Sequence, residues 1–378
     1  MKIKIGIVIG TLSLLVLVHF LNKNSRFNEP GNYQKASFNF TKCTPTKFLL
    51  EGIDTTKQIS PLFSNLGNLH FSISTKNEKA QAFFDQGVKL SYAFNHAEGH
   101  RSFMEAARLD PTSAMAYWGQ AFALGPNIND PLPDDARKNK INEAMIKARN
   151  LVSKSSPKEQ ALIKALSTRY SEDLSADVTL LNIAYMHAMT SVAREFPKDA
   201  NIQILYAASV MNTVPWNYWD KDGNPSPNIK EAKIALEKAM QLQPENPGGH
   251  HYYIHMVELP FPDLGVPSAD QLASLMPGAG HIVHMPSHIY IRVGRYLDAV
   301  KVNQAAILAD EDYIAQCFSQ GLYPLAYYPH NIHFLWSSAS LLGASDIAID
   351  AAKKTAEKVP VGELLEMPFL QDFASTRC

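Results

Sequence analysis

The chain has 378 residues, of which 46% are hydrophobic, so it can bury a substantial core as one elongated unit or as two domains. Its 35 basic residues nearly balance its 36 acidic ones, and no basic run is interleaved with aromatic residues. This composition argues against nucleic acid as a partner. The 3 cysteines are too few for a disulfide framework, and none lies in a Cys-x-x-Cys motif, which argues against thiolate metal ligands.

The first 26 residues predict an export signal. Lys2 and Lys4 precede an apolar run over residues 5–21, and polar residues follow it. The run is long for a signal peptide and short for a membrane span, and no small-residue cleavage site follows it. We therefore expect residues 1–26 to be a signal anchor, with a cleaved signal peptide as the alternative. Because the lysines stay inside, the remainder would face the periplasm, membrane-anchored or free after cleavage.

A helix–loop–helix pattern begins at residue 77, after a polar, proline-containing spacer over residues 27–76. Large and small residues alternate at helical spacing, as in Phe83, Gly87 and Leu90, and a proline follows the second helix at Pro111. Such alternation lets two antiparallel helices pack closely. The same pattern of small residues and helix-ending proline or glycine recurs at Pro197, Pro244, Gly294 and Gly343. The pattern predicts an all-α domain of repeated helix pairs over residues 77–378.

This pattern resembles the tetratricopeptide repeat (TPR) family, whose units are pairs of helices about 34 residues long. The resemblance covers roughly residues 77–360 and implies a right-handed α-solenoid of about five helix pairs. The chain is also similar to a group of bacterial exported or membrane-anchored TPR proteins with histidine-rich repeats. That similarity rests on residues 92–96, 116–119, 124–127 and 277–296. Members of the group continue with further helices, which implies a shortened C-terminus here.

Eight of the 13 histidines lie between residues 250 and 333, in three groups. On a helix, residues three or four apart share a face. The spacing therefore predicts three stripes: His251, His255 and Glu258; His281, His284 and His288; and His330 and His333. Imidazole and carboxylate side chains are ligands for zinc, iron and copper. Pro286 lies within the second stripe. It would kink the helix that carries this stripe, unless that helix begins only shortly before Pro286.

The TPR resemblance implies that particular positions of each first helix line a concave groove. Counting from Pro244, Gly294 and Gly343 places histidine at position 5 of three successive repeats. We predict that the stripes converge there on a metal site, whose ligands would be His251, His255, Glu258, His284, His288 and His333. Three further groove residues would surround the ligands or hold a substrate, namely His281, Arg292 and His330, and either His281 or His330 could itself be a ligand. The choice among Fe, Cu and Zn, and the number of ions, stays open.

Residues next to the stripes receive other predictions. His250 lies one step off its stripe and should pack against the neighbouring helix. His96, Glu98 and His100 fall at a helix–helix turn, where we expect a capping or surface role.

Two functions remain open from the sequence. The first is a metalloprotein whose groove holds a transition-metal ion, with or without an enzymatic reaction. Glu258 would then serve as a ligand or as general base to metal-bound water, and Arg292 could hold an anionic substrate. The second is a scaffold whose groove binds a peptide, a protein or a small anionic ligand without metal.

Overall fold

The computed structural model describes residues 53–316, 323–359 and 373. The predicted export signal, the first half of the spacer and the three cysteines lie outside these residues. Within them every regular element is helical, and the single β contact is an isolated bridge between Trp219 and Pro225. No helix in this part of the chain is both long and apolar enough to cross a membrane.

Seven pairs of helices follow one another through the described residues. In chain order they are α1 (Glu78–Tyr92) and α2 (His96–Leu109); α3 (Ala114–Leu124) and α4 (Asp135–Leu151); α5 (Pro157–Ser167) and α6 (Val178–Glu195); α7 (Ala200–Met211) and α8 (Ile229–Leu242); α9 (Pro247–Val257) and α10 (Pro262–Leu275); α11 (Gly280–His284) and α12 (Pro286–Tyr290), paired together with α13 (Tyr296–Gln316); and α14 (Tyr328–Leu342) and α15 (Ser345–Lys358). The prediction of an all-α fold built from helix pairs is confirmed.

The array contains more pairs than the five or so that the sequence predicted. The additional second helices are α4 and α10, which lack the small-residue and proline pattern of the others. α4 is rich in lysine, arginine and asparagine, and α10 carries Pro262 at its start and Pro267 in its interior. Packing against their partner helices overrides these weak local signals, because most helix stability in proteins comes from tertiary packing.

Side-chain caps fix where several helices begin. Asn77 accepts hydrogen bonds from two backbone N–H groups of α1, and Asn246 caps α9 directly before Pro247. Ser156 and Glu159 form a reciprocal capping box on α5. These residues satisfy N–H groups that have no partner inside the helix.

The core shows why large and small residues alternate. The ring of Phe103, on α2, lies between Gly87 of α1 and Gly119 of α3. A Cβ atom at either glycine would come within 2.5 Å or 2.3 Å of that ring. The three helices can therefore approach this closely only because both positions lack a side chain.

The histidines are brought together by contacts between the first helices of different helix pairs. Among neighbouring pairs, α7 contacts α9, α9 contacts α12, and α11 contacts α14. α9 also contacts α1, from the first pair of the array. The turn that follows α1 is thereby brought next to the histidine-bearing helices.

Candidate metal centre

Three successive helix pairs supply the histidines, from α9, from α11 with α12, and from α14. Met285, between α11 and α12, keeps a right-handed helical conformation, with φ −51° and ψ −36°. Pro286 therefore occupies the first position of α12, where a missing N–H costs little. The two short helices together keep His284 and His288 within hydrogen-bonding distance of each other.

A first triad consists of His251 and His255 on α9 and His281 on α11. One nitrogen from each ring lies within 4.8 Å of the others, and all three residues are buried. The ring of Phe94, from the α1–α2 turn, packs on all three, with centroid distances of 4.4, 5.6 and 5.5 Å. A triad with this spacing can hold one ion, because metal–imidazole bonds are about 2.0 to 2.1 Å.

A second triad consists of His284, His288 and His330, from α11, α12 and α14. Its ligand nitrogens also lie within 4.8 Å of one another. The ring of Phe334 packs on all three, at centroid distances of 4.7, 4.5 and 4.7 Å. Each triad is thus accompanied by one phenylalanine ring.

Glu258 connects the two triads by a hydrogen bond to one histidine of each. Its two carboxylate oxygens accept hydrogen bonds from Nδ1 of His255 (3.0 Å) and Nδ1 of His288 (2.8 Å). Burial raises the pKa of Glu258, but interactions with His288 and His255 outweigh it and leave the pKa well below the usual value. The carboxyl group is therefore ionised. Both oxygens of Glu258 face ring N–H groups and the residue belongs to neither triad, so its role as a metal ligand stays a prediction.

Oxygen acceptors also fix the orientation of two other rings. Nδ1 of His251 lies 2.5 Å from the backbone oxygen of Tyr92, and Nδ1 of His284 lies 2.6 Å from Oδ1 of Asn303. The Asn303 amide nitrogen donates to the backbone oxygen of Ala299, which confirms that its oxygen faces the ring. A neutral ring that donates through Nδ1 carries its lone pair on Nε2, the atom that binds a metal.

Four ring nitrogens of the first triad have no hydrogen-bond partner among the residues that the structure describes. Nε2 of His251, Nε2 of His255 and both ring nitrogens of His281 are buried without a hydrogen-bond partner among the described residues. An unsatisfied buried polar group costs roughly 1–3 kcal/mol. Burial lowers the pKa of all three residues, so the rings are held in the neutral form that binds metal.

In the second triad, Nε2 of His284 lies 2.9 Å from Nε2 of His288. Because both rings use Nδ1 to donate to an oxygen, both Nε2 atoms present lone pairs to each other. Two lone pairs at this distance repel unless a proton or a metal ion lies beside them. A metal ion bound to both Nε2 atoms is one arrangement that would relieve this contact.

In the third predicted stripe, His330 and His333, the residue that joins the cluster is not the one that we predicted as a ligand. His330 belongs to the second triad, whereas His333 lies outside both triads, with its ring against Trp336 (5.1 Å) and Phe373 (5.3 Å). A π-helical turn over Tyr323–Tyr327 precedes α14. His330 and His333 both lie within α14, three positions apart on one face, so counting from Gly343 could not tell which of them reaches the neighbouring helix.

Among the other predicted groove residues, His281 belongs to the first triad and so is itself a candidate ligand. Arg292 is exposed just beyond the end of α12, and no contact joins it to either triad in the described residues. His250 packs against α10 as predicted, with Nδ1 3.0 Å from Oγ of Ser268.

The capping or surface role expected for the group at residues 96–100 is wrong. His96, Glu98 and His100 are all buried, and Asn95 caps α2 instead. His96 stacks on Phe94 at 5.9 Å, and neither of its ring nitrogens has a partner in the described residues. Burial lowers its pKa to about 4. Glu98 accepts hydrogen bonds from Ser60 and Tyr313, which lie far from it in the sequence, so no local pattern reveals this burial.

Two aromatic residues of the site were not predicted. Phe94 and Trp216 both have positive φ, 57° and 64°, which is uncommon for bulky residues and marks a constrained position. The Trp216 ring meets His255 edge to face at 5.2 Å, and its Nε1 donates to the backbone oxygen of Ile128. The loop that carries Trp216 therefore covers the first triad.

Comparisons with known proteins add little to this geometry. No protein-family model matches the chain, and no curated protein matches it. A solved structure of the TPR domain of P58(IPK) is similar at 14% sequence identity over 78% of this chain and 90% of that one, with a TM-score of 0.22. A likeness at this level says nothing about function. Fold and site together define a helical-repeat protein with a buried six-histidine cluster.

Proposed function

We propose that this protein is a metalloprotein that binds transition-metal ions at its two histidine triads. The observation that carries the proposal is the orientation of the rings. Four of the six histidines donate through Nδ1 to an oxygen and so turn Nε2 toward the cluster. Hydrogen-bonded imidazoles of this kind are typical of metal sites, where the outer acceptor fixes the tautomer and orients the ligand.

Packing alone accounts poorly for the cluster. Four ring nitrogens of the first triad are buried without a partner among the described residues, and the second triad brings two lone pairs face to face. Buried polar groups in proteins are normally paired. One cation in each triad would satisfy one nitrogen of each ring and would leave one nitrogen of His281 without a partner among the described residues.

The donor set favours copper or zinc. Both triads offer three neutral imidazoles and neither contains a carboxylate or a thiolate. Iron(II) sites commonly add a carboxylate to two histidines, whereas three imidazoles suit Zn²⁺ and copper. Glu258 is too fully engaged by His255 and His288 to act as a general base, so the geometry supports metal binding without specifying a reaction.

The alternative, a scaffold that binds a peptide in a histidine-lined groove, lacks support at this location. Peptide recognition needs an accessible surface, and five of the six triad histidines are buried while His330 is half-buried. A scaffold role would have to use another surface of the array.

Metal content tests the proposal. Purified protein, loaded with Zn²⁺ or Cu²⁺ and dialysed, should retain metal in elemental analysis. The double variant His255→Ala and His288→Ala should lose it, whereas His187→Ala, which removes an exposed histidine of α6, should not. Helical circular dichroism checks that the variants fold. Wild-type protein that keeps no metal would overturn the proposal.

The export signal at residues 1–26 places this metal site, in our proposal, on the outer side of a bacterial membrane. The support is the lysine-flanked apolar run alone. Cell fractionation should recover the full-length protein with the membrane or the periplasm, and recovery in the cytoplasm would refute this location.

A further inference from the structure

The two triads are neighbours rather than separate sites. Ring centroids of His255 and His288, from different triads, are 5.6 Å apart, and those of His281 and His284 are 5.7 Å apart. The carboxylate of Glu258 bonds one histidine of each triad. Two ions bound here would therefore lie within a few ångströms of each other, in one buried cluster.

Charge balance limits how two such ions can coexist. Two divalent ions carry four positive charges, the six imidazoles are neutral ligands, and Glu258 contributes one negative charge. Uncompensated charge in a buried site is costly, and like charges at short range repel strongly in a medium of low dielectric constant. Three positive charges are therefore left uncompensated, and a bound anion would reduce that excess.

The coordination number of each ion also favours a bound anion. Three imidazoles leave a position open on an ion that prefers four ligands. No carboxylate of the described residues bridges the triads directly, because both oxygens of Glu258 face ring N–H groups. Five of the six histidines are buried, and Trp216 and Phe94 pack against His255 of the first triad, which favours a small anion between the ions.

We propose that the two triads form a coupled dinuclear centre whose two ions share one small bridging anion, such as hydroxide or azide. This inference rests on the proposed function, because it requires that both triads bind metal. It adds the number of ions, the relation between them and the chemical class of the ligand.

Cu²⁺ alone is the probe, because each isolated Cu²⁺ ion gives an electron paramagnetic resonance signal and a bridged pair with antiparallel spins gives little. Wild-type protein loaded with copper should hold two ions per chain by elemental analysis while most of the expected signal is absent. Titration with azide should produce a new charge-transfer absorption band that saturates at one azide per two copper ions.

Variants in each triad distinguish a coupled pair of copper ions from two independent ions or a single ion. Both His281→Ala, in the first triad, and His330→Ala, in the second, should halve the copper content and restore the full signal for each remaining ion. His187→Ala should behave as wild type. Two ions with full signal, or a single ion in wild-type protein, would overturn the coupled centre but leave metal binding intact. No bound copper would overturn both proposals.

Discussion

Oxygen acceptors decide which ring nitrogen of each key histidine carries its proton. The acceptors are the backbone oxygen of Tyr92, the amide oxygen of Asn303 and the two oxygens of Glu258. Residues in this outer position usually tune metal affinity nearly as much as the ligands do. Glu258 is the most informative of them, since it serves both triads.

Replacing Glu258 with glutamine should weaken metal binding without removing a ligand. An amide has only one oxygen, so one of His255 and His288 would face an NH₂ group and lose its Nδ1–H acceptor. We expect the metal affinity of at least one triad to fall by roughly 10- to 100-fold, measured by competition with a chelator. Glu311→Gln, in a carboxylate that bonds Tyr328 and Lys354, is the matched control. Unchanged affinity in both triads would contradict this role.

Asp310 should make the stability of the fold depend on pH. Burial raises the pKa of this carboxyl to about 7, even though hydrogen bonds from Tyr323 and Asn331 lower it in part; Glu311 is the nearest charge that raises it further. Between the ordinary aspartate pKa of 3.8 and about 7, the folded chain holds a proton that the unfolded chain has released. The free energy of unfolding therefore decreases as pH rises through this window and levels off above it.

The size of that effect can be measured against Asp310→Asn, which cannot ionise. Between pH 5 and 7 the wild type should lose on the order of 3 kcal/mol more than the variant, from about 1.4 kcal/mol per pKa unit. Urea unfolding at both pH values gives the difference. Parallel pH profiles for the two proteins would show that Asp310 is already ionised in the folded chain.

At the level of elements, sequence spacing predicted which histidines share a helix face but not how far apart the faces lie. His251, His255, His284 and His288 could be identified in this way. The choice of His330 over His333 could not, because the two lie three residues apart on one face of α14 and only packing decides which of them reaches the second triad. Helices α4 and α10 were missed for a related reason, since their packing partners, not their own composition, stabilise them.

The start of α11 is tightly fitted and should tolerate no side chain. A Cβ atom at Gly280 would lie 1.9 Å from Oδ1 of Asp310, a carboxylate that is held by Tyr323. Gly280→Ala should displace α11 and with it His281 and His284, so that both stability and metal content decrease. Gly249→Ala, on α9, is the control, because its Cβ would meet only the flexible side chain of Met240 at 3.1 Å. Equal metal content in the two variants would argue against a precise fit at α11.

At the scale of the whole molecule, the six histidines connect the last three helix pairs that the structure describes, and Phe94 brings in the first. The all-α class and the pairing of helices could be predicted from small residues and prolines. The contact between α1 and α9 could not, because it joins residues far apart in sequence and depends on how successive pairs rotate.

Bound metal should therefore stabilise the array as a whole. An ion that binds only the folded chain adds about 4 kcal/mol when its concentration is a thousand times the dissociation constant. We expect Zn²⁺ to raise the Tm by several degrees in scanning calorimetry. The double variant His255→Ala and His288→Ala should show no such rise, and an equal rise in it would assign the effect to other residues.

The spread of the cluster over several helix pairs also constrains how this protein can evolve. Repeat arrays commonly change length by duplication or loss of single units, because each unit contacts mainly its neighbours. Here one added pair between α9 and α14 would break up one of the triads, and one added pair between α1 and α9 would remove Phe94 from the first. The number of repeats from α1 to α14 is thus fixed by the site, and relatives that gain or lose a pair in this interval should have lost the histidines as well.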